Sequence, residues 1–162
     1  METIQSFNPD IGHENIQEQV LRAITNDHLP HAYLFYGPEG TGKDAFAINL
    51  AKLLNCEKGP LYICGKCAAC LKVSAMKHPD VQFIFPAPAS SQVKAEDISE
   101  ALAEKAQNPF RRLRFPGKNT FISIDTVREL KREAKFKLYE GKKKVFIISE
   151  ADEMRPEAAN AF

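Results

Sequence analysis

The chain lacks a dominant charge. Lys plus Arg number 22 and Asp plus Glu 21 in 162 residues, so no global basic field points to nucleic acid. It lacks any apolar run long enough to span a bilayer. Its opening, "METIQSFNPDIGHENIQ", lacks the basic region and apolar core of a signal peptide. No internal repeat is visible, and cysteine is absent outside residues 56–70. A cytosolic, reducing setting is the expectation, and there a cluster of four cysteines suggests metal more than disulfides. At 44% hydrophobic and 27% charged, the chain has an ordinary globular composition and a length that suits one domain.

The patterning that is present alternates helix and strand. After an irregular opening (1–13), "ENIQEQVLRAITN" carries Ile16, Val20, Leu21 and Ile24 at helical spacing. "AYLFYG" reads as a buried strand, "DAFAINLAKLL" as the helix that follows it, and "VQFIF" (81–85) as a second strand. The region 86–118 is the hardest to read and holds one helix, about 95–107, between Pro-containing and polar flanks. "FISI" (121–124) is a third apolar run. Asp125 is placed to cap a helix lined by Val127, Leu130, Ala134 and Leu138, with Gly141 beyond its end. "KVFII" (144–148) is the fourth strand, and Pro156 opens a last helix. The pattern predicts an α/β fold with a mostly parallel sheet. Phe162 arrives without a stop signal, so the chain reads as a fragment of a longer protein.

Gly37-Pro38-Glu39-Gly40-Thr41-Gly42-Lys43 fits the phosphate-loop pattern G-x-x-x-x-G-K. Its glycines permit the backbone turns that aim successive N–H groups at an anion, and Lys43 is placed to reach the β- and γ-phosphates. The expected nucleotide-binding set is Gly37, Gly40, Thr41, Gly42, Lys43 and Asp44. The pattern then requires Ser or Thr, whose hydroxyl sits on magnesium, and this chain has Asp44. Asp suits a helix N-terminus, yet it sets a second negative charge against a triphosphate, at about 4 kcal/mol for ~4 Å and an effective dielectric of 20. An intervening magnesium ion reverses that sign. Two outcomes stay open: weak or absent binding, and metal-assisted binding with altered geometry. Impaired hydrolysis is the expectation. After the last strand, "VFIISEADEM" places Glu150 where a water-polarising base belongs and Ser149 where a magnesium-supporting carboxylate belongs. Asp152 and Glu153, further along, are poorer substitutes.

All four cysteines fall in "CEKGPLYICGKCAAC", spaced C-x7-C-x2-C-x2-C. Such spacing lets Cys56, Cys64, Cys67 and Cys70 converge as the tetrahedral thiolate set of a closed, structural zinc site, with Gly65 turning the chain between two of them. An iron–sulfur cluster is the second reading, although its C-x3-C-P ending is missing. Free thiols or a redox pair are the third.

A phosphate loop with a four-cysteine module just after its helix is an unusual combination. It resembles the delta-prime and gamma/tau subunits of the bacterial DNA polymerase III clamp loader. "IGHENIQEQVLRAITNDHLPHAYLFYGPEGTGK" is similar to that family's opening, and "HPD" (78–80), "ISIDTVREL" and "EAANAF" agree in order. The first cysteine gap is one residue shorter than the family's, and 86–118 reads as an insertion. The resemblance implies a P-loop AAA+ domain (1–162) with an inserted zinc module (56–70). It implies a part in a machine that places a ring-shaped sliding clamp on primed DNA, as a component of the DNA polymerase III holoenzyme. The implied partners are the other loader subunits, with the clamp and DNA reached through the assembly. Gamma-type subunits hydrolyse ATP, whereas delta-prime-type subunits often have damaged nucleotide motifs and no ATPase activity of their own. Asp44 and Ser149 favour delta-prime, with an active gamma/tau-like ATPase as the alternative. The family's arginine finger, sensor residues, lid and collar are expected beyond Phe162.

Other features have plainer readings. Arg111, Arg112 and Arg114 with Phe110 and Phe115 read as a solvated loop or small docking patch rather than a DNA contact. Lys142, Lys143 and Lys144 read as solvated edge lysines. Arg128 reads as a surface ion pair, and His31 as no ligand. A P-loop kinase with a zinc lid and a zinc-based nucleic-acid module are the rival classes.

Overall fold

The computed structural model describes residues 12–59 and 61–162. The irregular opening expected over 1–13 lies, up to residue 11, outside the described residues. Among the described residues six helices and two strands follow in order: α1 (Glu14–Thr25), α2 (Lys43–Asn55), α3 (Ala68–Ser74), β1 (Val81–Ile84), α4 (Ala95–Gln107), α5 (Ile124–Ala134), β2 (Val145–Ile148) and α6 (Pro156–Ala161). A short 3-10 turn, Ala151–Glu153, separates β2 from α6. β1 and β2 run parallel, with Val81 opposite Val145 and Ile84 opposite Ile148. The ladder extends by one bond at each end, from Val145 N to Asp80 O and from Ser149 N to Ile84 O, both 2.8 Å.

Helix α2 organises the core because it is apolar on more than one face. Phe46, Leu50 and Leu53 pack with Val20 of α1. Ile48 and Ala51 face the opposite way and pack with Val73 of α3 and Ile147 of β2. Ile122, Val127 and Ala158 form a third cluster on the far side of the strands, joined by Ile84 and Ile148. The C-terminal end of β2 is thereby brought to the N-terminus of α2. In open parallel sheets this strand end is where ligands sit.

Two expected strands do not form. Residues 32–36 have no ladder; Leu34 is 81% and Tyr36 88% exposed, while Phe35 sits edge-on to Phe46 at 5.2 Å with Tyr33 stacked on it. Apolarity marks a segment for burial, but a strand also needs a second backbone edge, and none of the described residues supplies one. "FISI" makes two isolated bridges, Phe121 to Ala87 and Ile122 to Met154, and then enters α5 at Ile124. The cap of α5 is Ser123, whose Oγ accepts from Thr126 N at 3.2 Å, not Asp125. The helix stops at Ala134 rather than reaching Leu138, which is 46% exposed. Its C-terminal end is held by Lys144 Nζ, which donates to Glu133 O and Phe136 O at 3.0 Å.

Gly141 serves a different purpose from the helix stop expected of it. The Asp80 carboxylate accepts from the N–H groups of Tyr139, Glu140 and Gly141 at 2.7–2.8 Å, and Asn55 Oδ1 accepts from Lys142 N and Lys143 N. A Cβ on Gly141 would lie 2.6 Å from Asn55 Oδ1. Burial pushes the Asp80 carboxyl up, and the N–H groups of Glu140, Tyr139 and Gly141 more than reverse it, leaving its pKa below the ordinary value. This clamp delivers β2 to its place beside β1.

Candidate functional site

The glycine-rich loop runs directly into α2. Gly40 and Gly42 both have φ of 80°, a left-handed conformation that glycine adopts without strain, and Gly42 is the N-cap of α2. His13 Nε2 donates to Thr41 O at 2.9 Å, and Thr41 Oγ1 donates to Pro38 O at 3.0 Å. Lys43 turns back on the loop, donating from Nζ to Pro38 O at 2.6 Å and Gly37 O at 3.0 Å.

Asp44, in the first turn of α2, meets Ser149 at the end of β2: Ser149 Oγ donates to Asp44 Oδ2 at 2.8 Å. A phosphate-loop enzyme holds magnesium with a loop hydroxyl and a strand-end carboxylate. Here the two groups have changed places. The loop carries the carboxylate and the strand end carries the hydroxyl, and they touch each other.

The same Asp44 oxygen accepts from Lys105 Nζ at 2.6 Å. Lys105 projects from α4, is 1% exposed, and also donates to Arg111 O at 2.7 Å. Its ammonium stands 5.4 Å from the centre of the Phe83 ring. A buried ammonium is stable only when paired and hydrogen-bonded, and Lys105 has both kinds of partner.

Of the basic-aromatic cluster, Phe110, Arg111 and Arg114 are exposed, as the solvated-loop reading expects, and Arg112 is the residue that departs from it. Arg112 donates to Glu39 at 2.9 Å and pairs with Glu150, so one guanidinium joins the glycine-rich loop to the residue placed as a base. Hydrogen bonds from Arg112 hold the Glu39 carboxyl below its ordinary range, and Glu39 and Glu150 raise the guanidinium's own pKa. Glu150 has φ of 51°, uncommon for a residue with a side chain. A Cβ on Gly42 would lie 3.0 Å from the ring of Phe110.

Lys105 was not among the residues singled out from the sequence. The available signal was its spacing from Ala101: four residues apart on one helix, the two are the buried residues of α4. A lysine on an apolar face needs a buried partner. The expectation for Arg128 agrees with the geometry: it pairs with Asp125 at 3.2 Å on the surface. His31 is exposed. In the lysine run Lys142 and Lys143 are exposed, in line with the reading as solvated lysines, whereas Lys144 is half-buried and closes α5; Lys142 Nζ also donates to Cys56 O.

The four cysteines converge. Sγ atoms of Cys56, Cys64, Cys67 and Cys70 all lie within 4.8 Å of one another, and none is in a disulfide. A tetrahedral zinc site with ~2.3 Å bonds places sulfurs ~3.8 Å apart, so the set fits a metal of that kind after a small contraction. Cys67 is the N-cap of α3 and Cys70 lies one turn in, which puts both side chains on one side of the helix. Gly65 has φ of 67° and makes the turn between Cys64 and Cys67. Backbone N–H groups already point at sulfur, from Cys67 N to Cys64 Sγ at 3.3 Å and from Cys64 N to Cys56 Sγ at 3.5 Å. The N–H groups of Lys66 and Cys67 pull the Cys64 thiol down to about 6, while burial pushes the Cys70 thiol up. No helix among the described residues is long and apolar enough to cross a membrane.

Two parallel strands, a glycine-rich loop at a helix N-terminus and a four-thiol cluster behind that helix define the class: an α/β protein with one phosphate-loop-like site and one metal-type site. The family model described as DNA polymerase III, delta subunit, matches residues 12–162, and the chain belongs to that family. The resemblance to clamp-loader subunits read from the sequence holds at this level. The chain is similar to DNA polymerase III subunit gamma/tau of Mycoplasma pneumoniae, at 39% identity over 106 residues, 65% of this chain and 15% of the relative. It is similar to subunit gamma of Buchnera aphidicola, at 34% over 129 residues, 79% of this chain and 33% of the relative. It is similar to subunit delta' of Bacillus subtilis, at 30% over 146 residues, 90% of this chain and 35% of the relative. The chain thus spans about a third or less of the length of these relatives.

Proposed function

We propose that this chain is the N-terminal AAA+ domain of a delta-prime-like subunit of the DNA polymerase III clamp loader, one that helps load the sliding clamp onto primed DNA in replication and hydrolyses no ATP of its own. The observation that carries the reading is Asp44. Its carboxylate is bonded to Ser149 and Lys105, so neither magnesium-supporting position is free to receive the ion. Glu150, the residue placed to polarise water, is paired with Arg112. In this reading the domain is a rigid cytoplasmic scaffold. It works through the other loader subunits, and through them meets the clamp and DNA. The segment 86–118 is an insertion that adds α4 to the family's domain. Cys56, Cys64, Cys67 and Cys70 hold a structural zinc ion, which ties the C-terminal end of α2 to α3; four thiolates leave no open position for catalysis.

An active gamma/tau-like ATPase is the second reading. It is favoured by the survival of one carboxylate and one hydroxyl side by side, in exchanged positions. Substituting Lys43→Ala in the full-length protein and measuring the DNA-dependent ATPase of the assembled loader separates the two. The scaffold reading expects the rate unchanged. Loss of the fraction of turnover that one active site contributes would overturn it.

A further inference from the structure

Lys105 has a role that neither family membership nor the glycine-rich loop implies. We propose that the segment from α4 to Arg114 is an intramolecular plug: the Lys105 ammonium occupies the Asp44 oxygen that a divalent cation would take, beside the Ser149 hydroxyl bonded to that same oxygen, and Phe110 and Arg112 close the loop beside it to a magnesium–nucleoside triphosphate. The inference rests on reading residues 37–43 as a nucleotide-type loop.

Charge and position agree. In a phosphate-loop site the metal bridges the residue after the loop lysine, the strand-end residue and the phosphates. Here that pair of positions is Asp44 and Ser149, and a positive charge already sits on Asp44, delivered from 61 residues away. An ammonium is a compact point charge with three donors, able to stand in for a small cation. It differs in that its tether cannot leave with product. Lys105 is buried, with a second bond to Arg111 O, and both hold the closed arrangement. Around it, Arg112 takes both nearby carboxylates, Glu39 and Glu150, and Phe110 packs against Gly42 at the start of α2. The three carboxylates at this end, Asp44, Glu39 and Glu150, each have a cationic partner from the chain itself. The exchange of carboxylate and hydroxyl follows from the same logic: the helix that carries the cation approaches Asp44, so the carboxylate belongs there.

The plug is a two-state element, and a ligand that needs the open state sees its affinity reduced by the open fraction. Opening it restores a carboxylate and a hydroxyl to a metal. The test measures ATP binding to the full chain by calorimetry, with magnesium and with EDTA, for the wild type, Lys105→Met and the double variant Phe110→Ala/Arg112→Ala. The wild type is expected to bind too weakly to saturate. Lys105→Met is expected to gain ~tenfold or more in affinity with magnesium and nothing in EDTA. The double variant removes partly exposed side chains, leaves Lys105 and Asp44 themselves unchanged, and decides the matter if Lys105→Met does not fold. It is expected to gain in affinity and to expose the Lys105 amine to acetylation, read by mass spectrometry. Saturable magnesium–ATP binding by the wild type overturns the plug. So does a double variant without gain, whether Lys105 stays protected or becomes reactive. ATP turnover by this subunit within the loader would instead overturn the scaffold reading, so the two failures are distinguishable.

Discussion

Both ends of α2 are built like ligand sites, and they differ in whether the chain supplies its own counter-charge. At the C-terminal end, four thiols point at a common centre; among the described residues no lysine or arginine has an ion pair there, Lys52 of α2 only feels the charge of Cys70, and Lys142 reaches the backbone of Cys56. At the N-terminal end, Asp44, Glu39 and Glu150 each meet a lysine or arginine from α4 or the segment after it. Sulfurs that converge on one centre can release their protons to a metal ion. A carboxylate that already holds an ammonium does not call for one. Resemblance of a motif to a binding site therefore counts for less than whether its charges are already satisfied.

The largest effect expected is metal removal. Structural zinc binds with about 10–16 kcal/mol in small metal-folded peptides, and that binding free energy is folding free energy. Stripping the ion with a strong chelator should lower Tm by roughly 10 °C or more and free four titratable thiols, while Lys105 stays protected from acetylation. An unchanged melting curve after chelation would break the comparison, because the cysteine end would then be as self-sufficient as the other.

The next effect is at Lys105. Lys105→Met leaves the Asp44 carboxylate without its partner and should destabilise the protein by about 3 kcal/mol, measured by denaturant unfolding. Adding Asp44→Asn should recover most of the loss. A double-mutant cycle that gives additive losses would sink the claim that the two charges act as a unit.

Asp80 belongs to neither end but fastens the 139–143 loop beside Cys56. Removing the acceptor in Asp80→Ala should cost about 2–4 kcal/mol, since buried N–H groups lose a charged partner. Its folded pKa is depressed, so its contribution is present above the ordinary aspartate value of ~3.9 and is lost as pH falls through the lower, folded value. The stability gap between wild type and Asp80→Asn should therefore be constant from neutral pH down to that ordinary value and close below it. A gap that closes near neutrality would point to a different group. Gly141→Ala is the smallest of the four at about 1–3 kcal/mol, because the new methyl must displace Asn55 Oδ1 from 2.6 Å. Measured beside chelation, it separates damage to the loop from damage to the cysteine cluster, which the loop touches at the Cys56 carbonyl.

How legible these features were depended on how local they are. The helices at 95–107 and 43–55 and the strands at 81–84 and 145–148 follow from periodicity and apolar runs, and the structure places them there. The cysteine cluster was legible because its ligands lie within fifteen residues of chain and are joined by a turn and one helix. "AYLFYG" was misread because apolarity cannot report whether a pairing edge exists. The reach of the helix after Ser123 was misread because the loop that follows is held by Asp80 and Asn55, residues that precede it by dozens of positions.

By itself the sequence determined the α/β pattern, the glycine-rich loop with Asp44 after its lysine, the convergence of the four cysteines and the resemblance to clamp-loader subunits. Each rests on residues near one another in the chain, where spacing alone sets geometry. Tertiary structure decided what Asp44 does. From the sequence it was a carboxylate free to repel a phosphate or hold a metal. The fold carries Lys105 across 61 residues, and Ser149 across 105, to the same oxygen. Charge pairing depends on distance in space, and no periodicity records it.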